Sequence, residues 1–444
     1  MSYEERLQHV SVLGAAGKMG SGILLLTVME MADISLKPEN KGKAFVLNAI
    51  DVSDEALSGV MKYLKAQVLK MAEKKVVALR KLYADYANLI ENEEIINQYV
   101  FDAISLVRTS TRLESAFDSR MVFEAIKEDP ELKIGIFSKI SANNPNQPWF
   151  FTNTSSIPIT KLDEGAGLNG RIIGFHFYNP PAVQKLVEII KAEKTLPEVE
   201  TFARQYAKNL RKVVVPSYDK AGFIGNGHFM RDILHATAEV ERLSAQMSFV
   251  EAVYAINKIS QDCLVRPMGI FQLIDYVGVD VCSFIMSVMN PYLPSEDLHS
   301  PLLGTLLSLG VKGGQYSDGS QKDGILKYEK GKPVAIFDIE KRNYIPIAEF
   351  QPGVDTKLGA LPTPPPWKTV VGSKIKEEIL ADYFNQIKTA SGTGAELTRN
   401  YAARSCEIGR FLVSSGVALN ENDVNTVLLT GFFHAYGPIN NYLD

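Results

Sequence analysis

Leu13-Gly14-Ala15-Ala16-Gly17-Lys18-Met19-Gly20 lies between a short apolar run at 10–13 and a segment, 21–32, whose apolar residues recur at helical spacing. Glycines at a strand-to-helix junction let the backbone turn sharply, approach a phosphate closely and pack the helix against the strand. The helix N-terminus then faces the bound anion. The spacing is Gly-x-x-Gly-x-x-Gly, with Ala15 in the place of the first glycine of the commoner Gly-x-Gly-x-x-Gly pattern. Glycines in such a turn can also serve packing alone. Read as a cradle, the segment assigns Gly14, Ala16, Gly17, Lys18, Met19 and Gly20 to a dinucleotide.

A second apolar run, 44–50, ends at Asp51. A carboxylate there accepts hydrogen bonds from the adenosine ribose and repels a 2′-phosphate, and Val52, Ser53 and Asp54 offer no arginine to hold one. The expected cofactor is NAD. The gap from Gly20 to Asp51 exceeds the usual ~20 residues, and a polar loop around 37–43 absorbs the excess.

Farther along, 54–98 reads as a lysine-rich helical region, two helices long. Strands are expected at 105–108, 121–125, 149–152, 172–177 and 186–190, with a helix at 131–140. Strands alternating with helices imply a largely parallel sheet covered on both faces, a Rossmann-type α/β domain over 1–216.

After Pro216 the pattern is mainly α-helical. Helices are expected at 222–243 and 249–259, the second opened by a Ser248/Glu251 capping box. These belong to a helical domain over 217–328. A β-ribbon at 325–347, around Gly331-Lys332-Pro333, and the stiff PTPPP segment at 362–366 make 329–365 a ribbon and linker. Segments 374–388 and 397–415 are helical again, within a second helical region over 366–444. That region carries a possible degenerate repeat. Residues 248–275 run helix, Arg266-Pro267-Met268-Gly269, then an apolar run to Asp275; 420–444 run helix, Tyr436-Gly437-Pro438, then a run to Asp444. Two unrelated helices with similar turns would read the same way.

Composition narrows the function. A formal net charge of -4 leaves no basic footprint for nucleic acid. Cys263, Cys282 and Cys406 are too scattered for a disulfide framework or a zinc site, so no metal is expected. The N-terminus carries acids before any apolar run, and the strongest apolar run, 23–28, is far short of the ~20 residues a bilayer requires. The expectation is a cytoplasmic protein with no membrane partner.

Five ordered motifs carry the chemistry: Asn153-Thr154-Ser155-Ser156, Gly174-Phe175-His176-Phe177-Tyr178-Asn179-Pro180, Lys185-Leu186-Val187-Glu188, Gly222-Phe223-Ile224-Gly225-Asn226, and the segment from Arg266 through Gly269 and Asp275 to Gly278. Histidine is suited to take a hydroxyl proton near neutral pH while hydride leaves the same carbon. A glutamate within Leu-Val-Glu-Ile-Ile needs a partner, and beside His176 it would hold the tautomer and stabilise the imidazolium.

In order and spacing these motifs resemble the 3-hydroxyacyl-CoA dehydrogenases over about residues 8 to 328. The resemblance implies NAD-dependent oxidation of (3S)-3-hydroxyacyl-CoA thioesters to 3-ketoacyl-CoA, as in the β-oxidation of fatty acids, with His176 and Glu188 as the general base. It assigns Ser155 and Asn226 to the substrate hydroxyl and its developing carbonyl, and Glu128, Lys133 and Asn179 to the nicotinamide half of NAD. Lys74 would meet the CoA phosphates, although among Lys70, Lys75, Arg80 and Lys81 it reads equally as a solvated face. Gly227 and then His228 follow Asn226, where the family usually has an arginine at once. Relatives with one helical unit pair through it, so the region after Pro366 is expected to dock on 217–328, giving a monomer or homodimer. Two other readings use the same fold: a dehydrogenase of free hydroxy acids, and an NAD(H)-binding regulator without catalysis. Acyl length and type, pathway and flux direction stay open.

Overall fold

The computed structural model describes residues 1–316 and 319–443, and the chain forms two compact units, 1–219 and 220–444. The first unit opens with α1 (Tyr3–Arg6), β1 (His9–Leu13), α2 (Lys18–Ser35) and β2 (Val46–Ile50). Three helices follow where two were expected: α3 (Asp54–Lys74), α4 (Val76–Leu82) and α5 (Asn92–Ser105). Lys75 ends α3 and begins α4 because its ammonium is drawn to Asp33 at 2.6 Å and Tyr99 at 2.7 Å. Next come β3 (Val107–Ser110), β4 (Met121–Glu124), α6 (Pro130–Asn143), β5 (Trp149–Thr152) and α7 (Ile159–Ala166). The unit closes with β6 (Ile172–Phe177), β7 (Leu186–Lys191), α8 (Pro197–Asn209) and β8 (Val213–Ser217).

The sheet order is β3-β2-β1-β4-β5-β6-β7-β8. Its pairings are parallel except β6 with β7. β1, β4 and β5 are almost wholly buried, as strands covered on both faces must be. Helix α2 is apolar on nearly every side, with Ile23, Leu24, Leu25 and Val28 inaccessible, so it serves as a core helix.

The second unit begins with the helices α9 (Phe223–Leu243), α10 (Phe249–Lys258), α11 (Ile270–Val277), α12 (Val279–Met289) and α13 (Pro301–Ser308). A three-stranded antiparallel ribbon follows, made of β9 (Leu326–Glu329), β10 (Lys332–Asp338) and β11 (Asn343–Pro346). Then come α14 (Ile347–Leu358), α15 (Trp367–Val371), α16 (Lys376–Thr389), α17 (Thr393–Ser414) and α18 (Glu421–Gly431).

The ribbon lies within the expected 325–347, anchored where buried Asp275 of α11 accepts the N–H groups of Ile325 and Leu326 at 2.7 and 2.8 Å. The segment read as linker contains α14, which continues through Pro352 because Val354 and Leu358 pack into the core. Helices before and after the ribbon share a core: Phe271 and Ile274 of α11 lie in the same cluster as Leu397 and Tyr401 of α17.

The two segments of the possible repeat share backbone detail. Asn257 Oδ1 accepts the N–H of Phe271 at 3.1 Å; at the same spacing Asn425 Oδ1 accepts that of Ile439 at 3.0 Å. A Cβ on Gly269 would sit 2.3 Å from Asn257 Oδ1, and one on Gly437 2.2 Å from Asn425 Cγ, so each turn requires its glycine. Val265 and Phe433, matched in the two copies, have φ of 51° and 56°. Asp444, where the second copy's run was expected to end, lies outside the described residues.

Candidate active site

The glycine segment folds as a cradle. Gly14 has φ 72°, and a Cβ there would sit 2.5 Å from the Ala125 carbonyl oxygen. A Cβ on Gly20 would lie 1.9 Å from the Gly14 oxygen, so neither position admits a side chain. Gly17 caps α2 without a side-chain hydrogen bond, and the N-terminus of α2 opens onto this loop. Asp51, just beyond β2, accepts the N–H of Ala16 at 2.8 Å through one oxygen and that of Val52 at 2.8 Å through the other. Besides its expected place beside a ribose, Asp51 therefore braces the loop. The cradle, the helix N-terminus and a terminal carboxylate on the second strand fit a dinucleotide.

The next group is a sealed charge network. Lys133 on α6 is 1% exposed, with its ammonium 2.5 Å from Glu124 and 3.2 Å from Glu128. Glu124, at the end of β4, also accepts the hydroxyl of Thr152, its register partner on β5, at 2.6 Å. Glu128 Oε1 accepts the Thr154 hydroxyl at 2.5 Å and the N–H groups of Ser155 and Ser156 at 2.9 and 3.0 Å. Burial alone would push the Glu128 carboxyl up; Lys133 and these donors outweigh it and hold it below the usual range. Burial would likewise depress the Lys133 ammonium, but the two carboxylates hold it above its ordinary value. Lys133 thus contacts carboxylates rather than an open cofactor surface, and Glu128 shapes the loop that carries Ser155. Sequence reasoning did not single out Glu124, a signal available only as an acid ending an otherwise apolar strand.

On the adjacent strands, His176 of β6 stands directly opposite Glu188 of β7 in the antiparallel register. Opposed residues in such a pair project to the same side of the sheet. His176 Nδ1 lies 3.4 Å from Glu188 Oε1, and Glu188 is fully buried. Tyr178 donates its hydroxyl to the same Oε1 at 2.5 Å. Asn153 Oδ1 accepts the Phe177 N–H at 2.9 Å, which ties the Ser155 loop to the histidine strand. Asn179, half-buried, precedes Pro180 on the same turn. The first unit therefore brings Ser155, His176, Glu188, Glu128, Lys133 and Asn179 onto neighbouring segments of β4 to β7.

Two expected residues belong to other elements. Lys74 is exposed in the last turn of α3. Asn226 belongs to the second unit, half-buried in the first turn of α9. Beside it, a Cβ on Gly227 would approach Leu412 of α17 to 3.0 Å, so α17 packs close against the start of α9. Among the described residues no cluster of His, Cys, Asp and Glu could hold a metal ion, and no single helix is long and apolar enough to cross a membrane.

A dinucleotide cradle after β1 and a histidine–carboxylate pair on β6 and β7 of the same sheet define an NAD-dependent oxidoreductase of the Rossmann class. Profiles for the 3-hydroxyacyl-CoA dehydrogenase NAD binding domain and C-terminal domain match residues 9–220 and 222–322. The chain is 30% identical over 308 residues to the probable 3-hydroxybutyryl-CoA dehydrogenase of Bacillus subtilis, covering 69% of this chain and 94% of that relative. It is 28% identical over 319 residues to the mitochondrial hydroxyacyl-coenzyme A dehydrogenase of Homo sapiens, covering 71% and 91%. The chain belongs to the 3-hydroxyacyl-CoA dehydrogenase family. The crystal structure of 3-hydroxybutyryl-CoA dehydrogenase from Escherichia coli K12 shares the fold at 20% identity, with a TM-score of 0.63, over 98% of this chain and 90% of that one. The match extends the shared fold into the region beyond 322.

Proposed function

We propose that the protein oxidises the 3-hydroxyl of a 3-hydroxyacyl-CoA thioester, with His176 as the proton acceptor and Glu188 as its support. The observation that carries this reading is the register-opposed pair, with His176 Nδ1 at 3.4 Å from a fully buried carboxylate. Gly14, Ala16, Gly17, Lys18, Met19, Gly20 and Asp51 would hold NAD, which supplies the hydride acceptor. His176 Nε2 takes the hydroxyl proton. Nδ1–H stays directed at Glu188, whose negative charge stabilises the imidazolium as it forms. Ser155 would hydrogen-bond the substrate oxygen, its loop fixed beforehand by Glu128. Asn226 is proposed as a second donor to that oxygen, and Lys74, exposed, as a contact for the CoA phosphates.

His176→Ala is expected to reduce turnover by at least 10³-fold while NADH binding, read by fluorescence, stays within twofold. Glu188→Gln should be nearly as damaging, and the double mutant should be little worse than either, because the two act as a unit. The assay is NADH oxidation with a panel of 3-ketoacyl-CoA thioesters and with free acetoacetate. Equal rates on acetoacetate and acetoacetyl-CoA would remove CoA recognition from the reading. NADH binding without turnover of any thioester would instead make the protein a sensor.

A further inference from the structure

We infer that Tyr178 is a positioning residue for the His176–Glu188 pair, its hydroxyl setting how strongly the carboxylate supports a proton on the imidazole. The inference deepens the reading above and rests on His176 as the base. Tyr178 Oη donates to Glu188 Oε1 at 2.5 Å, the oxygen that also lies 3.4 Å from His176 Nδ1. The rings of His176 and Tyr178 are 4.9 Å apart. Tyr178 lies just beyond the end of β6, two residues after His176, and its hydroxyl reaches the Glu188 oxygen that faces His176.

Glu188 is wholly buried, and a buried carboxylate stays ionised only where donors replace water. From β6 and the turn after it, the Tyr178 hydroxyl donates to the carboxylate and His176 Nδ1 stands 3.4 Å from it. Its register partner on β8 is apolar Val215. At the ends of β7 stand Lys185, just before the strand, and Lys191, which is paired with Glu200 at 2.8 Å. Burial and the Glu188 charge push the Tyr178 phenol well above its ordinary value, so it remains a protonated donor across the working range. No bond to Tyr178 breaks in the reaction. Its hydroxyl draws charge from the oxygen that the imidazolium needs.

Removing the hydroxyl returns that charge to His176. Tyr178→Phe should raise the apparent pKa of the base by about 0.5–1 unit. Oxidation of hydroxyacyl-CoA would then reach its plateau at higher pH, and reduction of ketoacyl-CoA would persist to higher pH. Placing 3-fluorotyrosine at 178 keeps the ring and strengthens the donor, so the same limb should move down.

The test is the pH profile of kcat/KM for the full chain, with NAD and 3-hydroxybutyryl-CoA, for wild type, Tyr178→Phe and the fluorotyrosine protein. Shifts of opposite sign support the inference. An unmoved profile, or shifts of the same sign, would overturn it, because a phenol that only filled space would leave the profile in place. Should Tyr178→Phe fail to fold, the fluorotyrosine protein decides alone. His176→Ala is measured alongside. If it retains turnover, the base itself is misassigned and both readings fall; if it is inactive while the profiles coincide, only the role of Tyr178 falls.

Discussion

The turn after α10 and the turn after α18 share a backbone and differ in charge. Each is held by an asparagine that accepts a main-chain N–H, requires a glycine against that asparagine, and passes through a left-handed residue. At the position after the left-handed residue the copies part: Arg266 in the first, His434 in the second. Both are buried and line one small cavity with Ser405 and Tyr436. Arg266 is a permanent charge paired with Asp232 at 2.9 Å, while burial, Arg266 and His228 drive the His434 imidazole far toward neutrality. The asparagine and the glycine build the turn. The next side chain can therefore change chemistry, provided its charge has a partner or is absent.

Breaking the charged copy should have the largest effect. Arg266→Met leaves Asp232 buried and unpaired, an expected loss of about 3–5 kcal/mol. His434→Leu, which removes no charge, should stay within about 1.5 kcal/mol. Urea denaturation of the two variants measures the contrast, and equal losses would erase the difference between the copies.

Acid sharpens the same contrast. His228, buried beside this cluster, is depressed to about 4, first by burial, with Arg266 and Arg231 adding to the effect and Asp232 opposing it. Below about pH 6.5 the unfolded chain binds protons that the folded chain refuses. The stability tied to His228 is thus complete above that pH and lost toward pH 4, by about 3 kcal/mol in total. His434 acts in the same direction. Asp275, raised to about 7 by burial, works oppositely: its folded form takes up protons first as pH falls. The difference between wild type and His228→Gln between pH 6.5 and 4.5 therefore isolates the histidine, and parallel profiles would contradict the assignment.

The smallest effect concerns the left-handed residues. Phe433 is 46% exposed, so Phe433→Gly should relieve backbone strain and gain up to about 1 kcal/mol. Val265 is 1% exposed, and Val265→Gly should instead lose about 1 kcal/mol as burial is forfeited. Opposite shifts in Tm would show that one backbone conformation is held for different reasons in the two copies.

Much of the first unit was legible in the sequence because its strands are continuous apolar runs: β5 and β6 fall where 149–152 and 172–177 were expected. β8 was not foreseen. Its Pro216 argues against a strand, yet β8 lies at the sheet edge, where a missing N–H is tolerated. Helix α14 was hidden by Pro352 in the same way. His176 and Glu188 could be paired in advance because a glutamate inside an apolar strand requires a partner. Tyr178 could not, since an aromatic next to Phe177 reads as packing until the direction of its hydroxyl is known. Lys133 and Glu128 were read as facing the cofactor. What the sequence could not reveal was Glu124 competing for the same ammonium, a contact made by the folding of α6 back onto the end of β4.

The three hydrogen bonds from Thr154, Ser155 and Ser156 to one oxygen of Glu128 bear on how tightly a ligand can be held. A loop that is mobile until its ligand arrives spends part of the interaction energy on being ordered. Here the ordering entropy is lost when the chain folds. Contacts made by Ser155 can then appear almost undiminished in affinity, with little of the heat-capacity signature that coupled folding leaves. The same pre-setting makes the loop a poor adapter: it accepts ligands that match its fixed shape and does not remould around others.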